Sequence, residues 1–120
     1  GDDHINVKWA NKHLTRADEL LRKKRYSEAE TAMKEAIRLV PNEPRYHNKL
    51  AEVYLSRGWK TLAMTEVQTS LRLDGTNAEA RSLEVKLKSL IKESGQSGSG
   101  KDSKKKGFLD QIKEILNKKL

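Results

Sequence analysis

The 120-residue chain has no cysteine. Disulfides, thiolate nucleophiles and cysteine-bound metals are excluded, while the compartment is left open. Nowhere do 18 apolar residues run together, so no segment reads as a membrane-spanning helix. No basic, then apolar, then small-residue leader opens the chain, and a cytoplasmic protein is the expectation. It starts Gly-Asp-Asp without Met, which reads as an excised piece or a trimmed chain with more sequence upstream. Histidine is scarce: His4, His13 and His47 form no cluster with acids at metal-ligand spacing. No Ser or Thr sits in a nucleophile-elbow sequence. These absences argue against an enzyme, so no catalytic residue, metal ligand or cofactor is expected.

What the chain does have is charge, 35% of its residues against 35% hydrophobic, so any core is thin. Of the net +8, residues 94–120 carry +4, from seven Lys against three acids. The rest is spread over 93 residues with both signs interspersed. A nucleic-acid-binding domain would gather its cations on one face, with aromatics for stacking. Here the six aromatics fall mostly at core-like positions, so no nucleic acid is expected.

The organising feature is a period. Between 17 and 41, Ala17, Leu20, Leu21, Tyr26, Ala29, Met33, Ala36, Ile37 and Leu39 recur three or four apart within each half, the mark of helices with one buried face. Ser27 with Glu30 predicts a capping box for the second half, and Pro41 a stop. A second copy follows 34 residues later, pairing Ala17 with Ala51, Leu20 with Tyr54, Ala29 with Ala63, Met33 with Val67 and Ile37 with Leu71. Such a chain reads as a stack in which each unit contacts its neighbours. The spacing predicts a helix from an Asp3 cap to about 24, with Trp9 closing that end of the stack, and a second over 27–40. A third is capped by Asn42 and ended by Gly58, a fourth covers 60–73, and a fifth, opened by a Thr76–Glu79 capping box, covers 78–92.

On these residues the chain resembles a tetratricopeptide repeat (TPR) protein, whose 34-residue helix–turn–helix has small residues at fixed places and a terminal Pro. With Pro41 as that last position, Ala17, Leu20, Ala29, Met33 and Ala36 fall on the family's core positions. Leu50, Ala51, Tyr54, Gly58, Ala63, Val67 and Ser70 do so in the second copy. Gly75 replaces the second Pro, and Trp59 comes one place early. The fold the resemblance implies is all-α. It has repeats at about 10–43 and 44–77, a capping helix 78–92, and a right-handed superhelical stack over 1–93. A larger side chain at Ala17, Ala29, Ala51 or Ala63 would overpack the helix contacts, costing ~1–3 kcal/mol. His13 and His47, one period apart, are expected to be structural. Two repeats are few, which predicts marginal stability, a weak homodimer, or help from the tail.

The resemblance also implies a non-enzymatic interaction or scaffold module. Its concave groove, lined by the first, third and fifth helices, would take a peptide or an amphipathic helix. By repeat position the lining would be Asn11, Leu14, Asp18, Leu21, Arg22, Arg45, Asn48, Lys49, Glu52, Leu55, Glu79, Ser82 and Lys86. TPR co-chaperones grip a chaperone's C-terminal carboxylate with basic and amide side chains. The matching positions here are Leu14, Asp18, Lys49, Glu79 and Leu83, with one cation, so that partner class is disfavoured.

Residues 94–106 read as a flexible Gly/Ser/Lys linker, a composition that also suits an engineered joint. The stretch 95–101 fits G-x-x-x-x-G-K, but Asp102 stands where a phosphate loop needs Ser or Thr, and no strand precedes it. Beyond it, 107–120 forms an amphipathic helical pattern with Phe108, Leu109, Ile112, Ile115 and Leu116 as its contact face. Too short to be stable alone in water, it wants a partner surface. The candidates are its own repeats, another protein, an unstructured end with helical leanings and, as the alternative function, an anionic membrane or assembly onto which the tail docks the repeats.

Overall fold

A computed structural model describes the backbone of residues 2–100 and the side chains of residues 4–93. The chain is all-helical over this range, in the order α1 (Asp2–Arg22), α2 (Tyr26–Leu39), α3 (Pro44–Ser56), α4 (Lys60–Leu73) and α5 (Ala78–Gly100). Helices α1 and α2 pack as one hairpin, α3 and α4 as the next, and α2 and α3 join them. By its contacts the chain divides into Gly1–Leu87 and Lys88–Leu120, the second described only where α5 continues to Gly100.

Small residues set the helix spacing. Ala10, Ala17, Ala29, Ala36, Ala51 and Ala63 have no exposed surface, and neither do Met33, Val53 and Val67. With only a methyl group at these seams, two helix backbones approach closely, and a longer side chain has no room. Leu14, Leu21, Ile37, Leu55 and Leu71 close over this core from its edges. Ion pairs fasten the hairpins to each other: on the α2 side Arg57, on the C-cap of α3, meets Glu30 at 2.9 Å, and Lys34 holds the same carboxylate at 2.9 Å.

The 34-residue period is repeated in the hydrogen bonds. At the end of α1 the amide of Lys24 donates to Leu21 O and that of Arg25 to Leu20 O, at 2.9 and 2.8 Å. At the end of α3, Gly58 donates to Leu55 O and Trp59 to Tyr54 O, both at 2.9 Å. Each pair is the Schellman closure, which requires a left-handed residue just past the helix. Lys24 supplies it at φ 61° and Gly58 at φ 81°. One residue later the next helix is under way, with Ala29 N bonding Arg25 O and Ala63 N bonding Trp59 O, both at 3.0 Å.

This economy of turn corrects the expected caps. Arg25, not Ser27, is the N-cap of α2, and it makes no side-chain cap bond. Ser27 lies inside the helix, where its carbonyl accepts the Thr31 hydroxyl at 3.2 Å. For α3 the cap is Glu43 instead of Asn42; its carboxylate accepts Arg45 N at 3.2 Å, with Pro44 at N1, where its missing N–H costs nothing. For α5 the cap is Asn77, whose Oδ1 accepts Ala80 N at 2.9 Å, while Thr76 turns its hydroxyl to Asp74 at 2.7 Å. A Ser/Thr-x-x-Glu pattern locates a helix start only to within a residue or two, because any nearby acceptor can take the free amides.

Two further expectations differ. Trp9 closes nothing: it is 50% exposed, with Lys12 Nζ 4.8 Å from its ring. Helix α5 continues to Gly100, over the first seven residues of the expected linker. Once a helix is nucleated, each added residue gains a bond without the cost of a new nucleus. Residues 101–106 and the amphipathic stretch 107–120 lie outside the described residues.

Candidate functional site

The side formed by α1, α3 and the start of α5 holds the polar groups that the repeat positions single out. Helix spacing places Asn11, Leu14, Asp18 and Leu21 of α1 on one stripe, and Asn48, Glu52 and Leu55 on the matching stripe of α3. Cross-links between the helices order this surface. Lys49 Nζ sits between Asp18 of α1, at 2.6 Å, and Glu52 of its own helix, at 3.1 Å. Burial alone would lower the Lys49 pKa, but the two carboxylates outweigh it and hold the ammonium charged. Glu52 is pushed the other way. Burial raises its pKa, and a hydrogen bond shared with Glu79 of α5 raises it further, against the pull of Lys49.

Asn48 is the fixed point of the α3–α5 joint. Its Nδ2 donates to Asn77 Oδ1 at 2.9 Å and to Glu79 Oε1 at 3.3 Å. It is fully buried, so Asn48 is a joint and not the ligand contact expected of it. The reason is that α5 starts directly over it and takes both hydrogens of its Nδ2, while its buried Oδ1 accepts no hydrogen bond from the described residues. Asn11 is likewise engaged, its Oδ1 accepting the Tyr46 hydroxyl at 2.5 Å. Arg45 is exposed but tethered to Glu43 at 3.1 Å, with its guanidinium 5.5 Å from the Tyr46 ring.

Of the thirteen expected lining residues, Asp18, Lys49, Glu52 and Glu79 thus come together as one charged row, flanked by half-buried Leu14, Leu21 and Leu55. Arg22, Ser82 and Lys86 are exposed. Two residues that hold this surface together, Tyr46 and Asn77, were missed from the sequence. Asn77 could have been found as the last Asn before a helix-forming run. Tyr46 had no such signal, because a ring between Arg45 and His47 reads as ordinary polar surface.

A second cluster joins α3 and α4 of the second hairpin to the loop that precedes α3. His47, 7% exposed, offers Nδ1 to Glu66 Oε1 at 2.9 Å and Nε2 to the Pro41 carbonyl at 2.8 Å. Both partners are acceptors, so both ring nitrogens are satisfied only when both carry protons. The Glu66 hydrogen bond accordingly raises the His47 pKa; burial opposes it, Pro41 assists and Arg72 detracts. This histidine is structural. Its counterpart one period earlier, His13, lines an open depression of about 380 Å³ with Arg16, Ala32 and Glu35. Ala32 stands where the second hairpin has Glu66.

Among the described residues no three His, Asp or Glu side chains converge as metal ligands, and no helix is long and apolar enough to cross a membrane. Neither a protein-family model nor a curated protein matches this sequence.

Proposed function

We propose that the chain is a TPR-like, non-enzymatic interaction module that seats a peptide or an amphipathic helix along the side lined by α1, α3 and α5. The observation that carries this reading is the Asp18–Lys49–Glu52–Glu79 row, held by cross-helix bonds and bordered by three half-buried leucines. A preordered polar row beside an apolar strip suits a ligand with one charged and one apolar edge, since little side-chain freedom remains to be lost on binding. The family resemblance and the 34-residue recurrence of the helix closures point the same way.

The test is a titration of isotope-labelled protein ending at Gly100 with the peptide of residues 107–120, followed by amide chemical shifts. Saturable shifts at Leu14, Leu21, Lys49 and Leu55, abolished by Leu55→Asp, are expected. Shifts confined to α2 and α4, or none with this peptide or with other amphipathic helices, would remove the groove.

A further inference from the structure

The first turns of α1 are unusual in charge. Past the opening pair Asp2 and Asp3, from His4 to Arg16, they contain Lys8, Lys12 and Arg16 and not one acid, in a chain with 17 acids among 120 residues. The three cations are exposed, and none forms a salt bridge with another described residue. They share one helical stripe with Ile5 and Trp9, since positions 5, 8, 9, 12 and 16 follow the three-and-four spacing of a single face. Ile5 is 52% and Trp9 50% exposed. The opposite face of the same turns is the packed one, with Ala10 and Ala17 fully buried and Leu14 against the core. Asp2 and Asp3 open the helix before this stripe, and Glu19, which follows it, is engaged by Lys23 at 3.6 Å.

Cations alone would read as a solvated face, and an isolated exposed apolar residue needs no explanation. The combination is what asks for a partner. An indole with an ammonium against its ring, an Ile one turn away and two more cations on the same edge have the chemistry of a bilayer interface. There indole settles at headgroup level, apolar side chains enter the acyl boundary, and Lys and Arg meet anionic lipids. The stripe's polar side chains are all donors, with no side-chain acceptor among them, which matches an anionic surface of acceptor oxygens.

We infer that the Ile5–Lys8–Trp9–Lys12–Arg16 face of α1 docks on an anionic phospholipid surface. It is a different face of α1 from the one carrying Asp18 and Leu21, so the inference does not rest on the groove. Three cations and two apolar side chains make a weak, reversible and salt-sensitive contact of the kind that needs a second signal for stable anchoring.

The full chain carrying Trp59→Phe leaves Trp9 as its only indole, so its fluorescence reports on this face alone. With vesicles of phosphatidylcholine and phosphatidylserine, Trp9 emission should shift to the blue and be quenched by brominated acyl chains. Pure phosphatidylcholine should produce neither. Each cation should be worth about fivefold in partitioning, so Lys8→Glu with Lys12→Glu should weaken binding at least tenfold. Lys8→Gln with Lys12→Gln, a milder change that adds no charge, should weaken it in the same direction if the reversed pair unfolds the chain. Sedimentation with vesicles while Trp9 emission stays unchanged would assign membrane binding to another segment and overturn the inference. So would no sedimentation at all, or a Trp9 shift with polyglutamate but not with vesicles.

Discussion

The two hairpins share a backbone and differ in what fills it. One period apart, Thr31 and Thr65 return their hydroxyls to Ser27 O and Thr61 O, at 3.2 and 3.1 Å. Val40 N bonds Ala36 O and Asp74 N bonds Ser70 O, both at 2.9 Å. Side chains depart from this symmetry along α3 and the matching turns of α1. Tyr46, His47 and Leu50 are buried, whereas Lys12 and Arg16 are exposed and His13 is half-buried. The geometry is thus set by helix ends and alanine seams, which recur. The joint between hairpins occurs once, and there Tyr46 is fully buried with its hydroxyl on Asn11 of α1.

The sharpest way to break the symmetry is to truncate matched residues. Tyr46→Ala empties a fully buried ring site and leaves Asn11 Oδ1 without its donor. The expected loss is about 3–5 kcal/mol, enough to unfold much of a marginal domain. Lys12→Ala, one period earlier, removes an exposed side chain and should change stability by less than about 0.5 kcal/mol. Urea unfolding of both variants measures the contrast, and similar losses would show that the hairpins share stability evenly.

The His47–Glu66 pair makes a smaller, pH-dependent difference. Its folded pKa lies above the ordinary 6.5, so the unfolded chain releases its proton first as pH rises. The stabilisation is therefore complete below about 6.5 and lost as pH climbs through the raised folded value. Thermal melts should fall over that window. Glu66→Ala, which copies Ala32 of the first hairpin, should flatten the fall and cost about 2 kcal/mol at low pH, because it leaves a buried imidazolium short of its acceptor. A melt profile through pH 6–9 with the same slope in wild type and variant would assign the dependence to other groups.

How much of this was legible in the sequence follows from which forces act locally. The 34-residue period, the four buried alanines and the 60–73 helix could be read directly, because apolar spacing and small residues leave a one-dimensional trace. The caps were each misplaced by one or two residues, since Ser27, Asn42 and Thr76 are good cap types whose competitors Arg25, Glu43 and Asn77 stand beside them. Asn48 was expected to face a ligand because its position within the repeat is all that sequence specifies. That α5 starts over it, and that Asn77 and Glu79 take the hydrogens of its Nδ2, depends on contacts 29 and 31 residues away. The Asp18–Lys49 link escaped for the same reason: three interleaved acids and one lysine give no pairing until two helices are side by side.

The smallest effect tests the part of the comparison that looks most symmetrical. Lys24 and Gly58 occupy the same left-handed position past their helices, and each closure has the same two hydrogen bonds, one donated by this residue and one by the next. A side chain pays there for a Cβ crowding the carbonyl, about 1–2 kcal/mol, which glycine avoids at some entropic cost in the unfolded chain. A Cβ added to Gly58 meets nothing within 4 Å, so the backbone, with no steric contact to a neighbour, decides the outcome. Gly58→Lys should therefore destabilise by about 1 kcal/mol, and Lys24→Gly should stabilise by roughly 0.5–1 kcal/mol. Carrying both changes should return the midpoint of urea unfolding close to wild type, because the sites are separate turns that share no partner. If Lys24→Gly is neutral or harmful instead, the first turn must gain from its lysine something the second obtains without one, and the two closures are alike in geometry but not in energy.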